Sequence, residues 1–133
     1  MMTKKEIAYF EAAKAISKLS NHNQKMGCVI VNKHKIISSG YNSETKCHRL
    51  QAELDMNYYK MESSGKIHAE TSALLPLRRA DLSKASIFIY RETKGGTKAL
   101  ARPCPCCQKL IKQFGIKHIY YTGNDSLVYE ELV

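Results

Sequence analysis

The 133 residues include no tryptophan, only 12 acidic residues against 21 lysines and arginines, and no apolar run approaching the roughly 18–20 residues that crossing a bilayer needs. Each shortage excludes something. Without a spanning segment, a membrane role has no support. Lysine and arginine are spread from Lys4 to Lys117 rather than gathered into one block with interleaved aromatics. The formal charge of +9 therefore reads as a solvated surface, or an attraction for phosphorylated small molecules, ahead of a polynucleotide track. The N-terminus carries no apolar run of the signal-peptide kind. Five cysteines, an odd number with three of them between Cys104 and Cys107, do not make a disulfide framework. The compartment implied is a reducing one, the cytoplasm. Neither an internal repeat nor a low-complexity tract is present. What remains, 44% hydrophobic, is enough for one domain over residues 1–133 with a single core.

Apolar residues at three-residue steps (Ile7, Phe10, Ala13, Ile16, Leu19) predict an amphipathic helix over residues 3–19, with Thr3 as its N-cap. Runs at 26–32 and 35–39, separated by Lys33 and His34, predict an antiparallel hairpin, although neither turn residue is an ideal one. Gly40 is expected to end the second strand. Residues 43–66 are polar and irregular with one possible helical segment over 50–59, a connection long enough to serve as a lid or wall over a site. A helix is expected over 68–79, kinked or shortened by Pro76, with Ala73, Leu74 and Leu77 inward. A buried strand at 85–90 leads to a reversal at Gly95 and Gly96, and a helix over 103–114 is stopped by Gly115. Strands at 118–122 and 126–132 complete the chain. Strands alternating with helices after an opening hairpin predict an α/β fold, a three-layer α-β-α sandwich on a central mixed sheet of about five strands.

The chemistry lies in His68-Ala69-Glu70 and Pro103-Cys104-Pro105-Cys106-Cys107. Together they offer an imidazole, two spaced thiols and a carboxylate. A structural zinc site closes with four protein ligands, whereas three leave one position for water. Residues i and i+2 point to different sides of a helix, so His68 and Glu70 converge only if they lie at a helix start. There the amides of Ala69 and Glu70 have no intrahelical acceptor. Cys104 and Cys107, three apart, share a face of a first turn, where the helix N-terminus favours thiolate. Cys106 points elsewhere and reads as a packed residue. Taken alone, His-x-Glu occurs by chance, and Cys-x-x-Cys also suits a redox pair or half of a structural zinc knot. Their combination, each opening a helix, is far more specific.

His-x-Glu with Pro-Cys-x-x-Cys is the signature of zinc-dependent nucleobase deaminases. From the first helix to His118-Ile119-Tyr120-Tyr121 the chain resembles the cytidine and deoxycytidylate deaminase superfamily. Leu100-Ala101-Arg102-Pro103-Cys104-Pro105-Cys106-Cys107, with Leu110-Ile111-Lys112 and Gly115-Ile116-Lys117, is similar to its compact phage and bacterial members. The resemblance implies one zinc ion per chain on His68, Cys104 and Cys107, with Glu70 as proton carrier. It implies hydrolysis of a cytosine nucleotide or nucleoside, dCMP favoured, to the uracil form with loss of ammonia. It also implies that Ala69 offers its backbone N–H to the base carbonyl, and that the chain forms a homo-oligomer.

Asn42 matches the family's asparagine that meets a sugar hydroxyl or base edge, and equally suits a turn. Arg91 and Arg102 are each a phosphate contact or a surface charge. His48, Arg49 and Gln51 are further substrate candidates in the long loop, and Cys47 with His48 is a weaker candidate for a second metal site. His22, His34 and His118 read as surface or turn histidines. The second functional reading is a polynucleotide deaminase acting on transfer RNA or single-stranded DNA. A third, of another class, is a zinc-stabilised binding module without catalysis.

Overall fold

A computed structural model describes residues 2–43, Thr45, Gln51 and 67–132. Helix α1 (Lys4–Ser17) starts on a reciprocal capping box. The Thr3 hydroxyl accepts from the Glu6 N–H at 3.1 Å, and the Glu6 carboxylate accepts from the Thr3 N–H at 2.8 Å. Phe10, Ala13 and Ser17 are buried, whereas Ile7 and Leu19 are exposed. Steps of three advance 300° around a 3.6-residue helix, so the series rotates off the core at Ile7, while Leu19 lies in the turn past the end of α1.

Strands β1 (Met26–Asn32) and β2 (Lys35–Tyr41) form the expected hairpin. Lys33 and His34 both take positive φ, 52° and 66°, as a two-residue type I′ turn requires. Gly40 does not end β2: it pairs with Cys28, and Tyr41 continues to Gly27. A Cβ at Gly40 would lie 2.5 Å from the Ala73 nitrogen and 2.6 Å from the Ala69 oxygen, so the glycine is where a helix settles onto the strand.

That helix is α2 (Ala69–Leu74), followed by a 3-10 turn, Leu75–Leu77, around Pro76. Strand β3 (Ser86–Arg91) leads through the turn at Gly96 and an isolated bridge between Glu92 and Lys98 to helix α3 (Pro105–Gln113). Helix α3 begins two residues later than expected, with Cys104 as N-cap and Pro105 in the first turn. Gly115 at φ 93° ends it. Strands β4 (His118–Gly123) and β5 (Ser126–Glu131) close the chain as a second hairpin. Apart from Gln51, the expected helical segment over 50–59 lies outside the described residues, as do Cys47, His48 and Arg49.

The sheet order is β2-β1-β3-β4-β5, with β3 and β4 parallel and every other pair antiparallel. One face of the sheet carries Val29, Val31, Phe88 and Tyr90 against Phe10 and Ala13 of α1. The other carries Ile30, Ile87, Ile89 and Ile119 against Leu74, Leu110 and Ile111 of the other two helices. Strands β1 and β3 are buried on both faces, which is why they read as continuous apolar runs. Among the described residues, no helix is long and apolar enough to cross a membrane.

Candidate metal centre and cavity

Both helices on the second face begin with a candidate ligand. His68 is the N-cap of α2 and Cys104 the N-cap of α3, each with extended backbone, and neither side chain caps its own helix. An uncapped helix start forgoes about 1 kcal/mol, which both sites forgo here. Instead the ligand atoms of His68, Cys104 and Cys107 lie within 4.8 Å of one another, with His68 Nδ1 3.3 Å from Cys107 Sγ. Zn–S bonds of about 2.3 Å and Zn–N bonds of about 2.0 Å put tetrahedral ligands about 3.5–3.8 Å apart, so the cluster is close enough to bind one metal ion. Two thiolates and an imidazole are a donor set that suits zinc. Cys106 is fully buried in the apolar core, as its position between the ligands predicts.

Neighbouring backbone holds these starts in place. The Gln51 side-chain oxygen accepts from the His68 N–H at 3.2 Å and from the Thr71 hydroxyl at 2.6 Å, tying the residue before α2 to the helix's first turn. Gln51, a substrate candidate from sequence, is fully buried and serves α2 instead. Before Cys104, the Ala101 N–H reaches the Thr122 carbonyl at 2.8 Å, and the Thr122 hydroxyl donates to the Ala99 carbonyl at 2.6 Å. The segment carrying the thiols is thus fastened to the end of β4. Replacing Gln51 with Ala is expected to weaken zinc affinity at least about tenfold, the lower end for removal of a supporting partner. Competition with a chromogenic chelator measures it, and unchanged affinity would remove Gln51 from the support.

Glu70, in the first turn of α2, is 3% exposed. Burial raises its carboxyl above the usual range, against the opposing pull of the His68 imidazole. Such a group takes up and releases a proton more readily near neutrality than a solvated glutamate does. The Cys107 thiol does not follow the helix-dipole expectation. Its hydrogen bond with Cys104 and its burial push it well above the usual thiol range, and binding of a metal cation would displace that proton.

His68, Ala69, Glu70 and Cys104 line a cavity of about 320 Å³, which Asn42, Arg91 and Arg102 also reach. The Asn42 side chain is engaged: Oδ1 accepts from the Met26 N–H at 2.9 Å and the Ser20 hydroxyl at 2.7 Å, and Nδ2 donates to the Gln24 carbonyl at 2.7 Å. The Arg102 guanidinium is held by Glu130 at 3.0 and 2.9 Å. Arg91 donates from Nη1 to the Leu100 carbonyl at 3.2 Å, while its buried Nε has no partner among the described residues. His22, read from sequence as a surface or turn residue, also lines the cavity. Its spacing carries no motif, and only the path of the chain between α1 and β1 brings it there.

Residues 2–123 match the cytidine and deoxycytidylate deaminase zinc-binding region. A deoxycytidylate deaminase of Schizosaccharomyces pombe is 29% identical over 125 residues, covering 85% of this chain and 35% of its own length. The chain thus spans about a third of that relative. The dCMP deaminase of cyanophage S-TIM5, solved in complex with dCMP and dUMP, superposes with a TM-score of 0.62 at 26% identity, covering 91% of this chain and 82% of that one. A cytidine deaminase of Burkholderia pseudomallei shares the fold at a TM-score of 0.66 and 20% identity, over 98% of this chain and 93% of its own.

Proposed function

Because the chain belongs to the cytidine and deoxycytidylate deaminase family, we propose that it hydrolyses the exocyclic amine of a cytosine nucleotide, with dCMP as the leading substrate, giving the uracil form and ammonia. The observation that carries this reading is the meeting of a His68, Cys104 and Cys107 triad with the buried Glu70 at one cavity. Three ligands leave a coordination position for water. Zinc held by these three residues would supply a hydroxide nucleophile near neutral pH.

The remaining work falls to the chain. Glu70 takes the first proton of the attacking water and gives it to the ring nitrogen beside the attacked carbon, then takes the second from the added hydroxyl as the carbonyl forms and passes it to the departing amine. Ala69 lies at the first position of α2, where an N–H has no intrahelical acceptor, and it offers that donor to the base carbonyl. Asn42 keeps one amide proton for the sugar while its other polar contacts fix the cavity wall. Arg91 is the phosphate partner in preference to Arg102, because Glu130 already occupies the Arg102 fork. The same reading takes residues 1–133 as one domain of a cytoplasmic homo-oligomer, which sedimentation measures. His48 is carried as a further substrate contact.

A panel of dCMP, cytidine, deoxycytidine, single-stranded DNA and transfer RNA, assayed by ammonia release, tests the reading. dCMP is expected to give the highest kcat/KM. Arg91→Ala is expected to raise KM for dCMP about 10–100-fold, as loss of a charged hydrogen bond does, while leaving deoxycytidine unchanged. Turnover confined to the polymers would overturn the nucleotide assignment. A zinc-loaded chain inert on every cytosine and adenine compound would be a binding module.

A further inference from the structure

A second cavity, of about 700 Å³, lies away from the metal centre. Val31 and Ser86 line it, at the ends of β1 and β3 opposite to Met26 and Arg91, which line the metal cavity. Five residues of strand separate Met26 from Val31, about 17 Å. Phe88 and Tyr120 place the second cavity on the α1 face, whereas α2 and α3 pack on the other. No substrate at Glu70 reaches it directly.

Its walls combine two features. Tyr9, Phe88 and Tyr120 form an aromatic wall, with Phe88 and Tyr120 stacked at 4.2 Å between centroids. Lys4, Lys5, Lys33 and Lys84, from three separate stretches of chain, surround them. No ion pair to any of these four ammonium groups is formed among the described residues. Two acids face them. Glu6 is engaged by Thr3 and Tyr120, and exposed Asp81 by the Ser83 N–H.

The aromatic row does not stop at the cavity. Phe88 pairs in register with Tyr120, and Tyr120 with Tyr129, so the three rings cross β3, β4 and β5 on one face. Tyr129 is 45% exposed, 4.8 Å from Tyr120 between centroids, and stacks on His118 at 5.9 Å. Helix α1 packs chiefly on β1 and β3, which leaves this end of the face open. Glu131 and Glu6 are the acids whose charge acts on the Tyr129 hydroxyl.

We infer that the α1 face binds single-stranded nucleic acid: Tyr129, exposed on the edge strand at the end of the ring row, stacks a base, and Lys4, Lys5, Lys33 and Lys84 hold the phosphates. Aromatic platforms on a sheet beside basic side chains bind strands in this way, with little sequence preference. A single nucleotide would need only the cavity. A ring row running beyond it onto exposed β5 matches a ligand that continues, and the net charge of +9 draws it.

Fluorescence anisotropy of the zinc-loaded chain with a labelled ten-nucleotide oligothymidylate tests this, because thymine offers no amine to the metal centre. Four phosphate contacts predict a log–log salt slope of about −3, and Lys33→Gln with Lys84→Gln is expected to reduce it by about 1.4. Tyr129→Leu is expected to weaken binding at least about fivefold, and Tyr129→Phe less than about twofold, because the ring rather than the hydroxyl stacks. Glu70→Gln is expected to bind the strand like the wild type, which separates this inference from the deaminase reading. Absence of binding, or indifference to Tyr129→Leu, would overturn it. So would thymidine monophosphate competing as well as the strand per nucleotide, which marks a mononucleotide pocket, or displacement by polyglutamate at equal charge.

Discussion

Glu70→Gln is expected to lower the turnover of dCMP by about 10²–10⁴-fold, the range for removing a positioned acid–base group, while zinc content and melting temperature stay near wild type. Glutamine has nearly the shape of glutamate and keeps a hydrogen-bonding head, so the buried site at the start of α2 loses its proton carrier without losing volume. No other carboxylate lines the metal cavity among the described residues, so no second acid of the same kind stands in for Glu70. Steady-state ammonia release and metal analysis on the same preparation check both halves. A variant within tenfold of wild type would remove Glu70 from the chemistry.

Removal of a ligand is expected to act more broadly. Cys107→Ser should bring zinc from one per chain to less than about a tenth and activity below detection, because an alcohol does not replace a thiolate toward zinc. The wild type should also melt lower after chelation. At a free zinc concentration 100 times the dissociation constant, linkage is worth about 2.7 kcal/mol, on the order of 10 °C for a domain of this size. The serine variant should melt at one temperature with or without chelator. Stoichiometric zinc in that variant would show that the triad is not the site.

Much of the architecture was legible because it rests on local rules. Thr3 and the apolar steps after it announced the first helix, Pro76 its shortened successor, and Gly115 the end of the third. The metal triad was legible for a related reason, since the positions of His68, Cys104 and Cys107 at helix starts follow from short motifs. What escaped depends on partners distant in sequence. Glu130 claims Arg102 only because β5 folds back along β4 in a particular register. Gln51 becomes a brace for α2 through its contacts with His68 and Thr71, and Gly40 continues β2 because α2 rests on it. The lysines dispersed along the chain looked unfocused, yet Lys4, Lys33 and Lys84 meet at one cavity once β1 and β3 pair.

The order of the strands bears on how the molecule assembles. Both ends of the sheet are hairpins with two-residue turns, contacts that close early because little chain entropy is lost. The middle pairs, β1 with β3 and β3 with β4, join distant segments, and the two ligand-bearing helices are the connections across that middle. Neither hairpin alone brings His68 to Cys107. During refolding, zinc uptake should therefore lag the appearance of strand signal and coincide with the slowest phase, which makes the metal a reporter of chains that have finished folding.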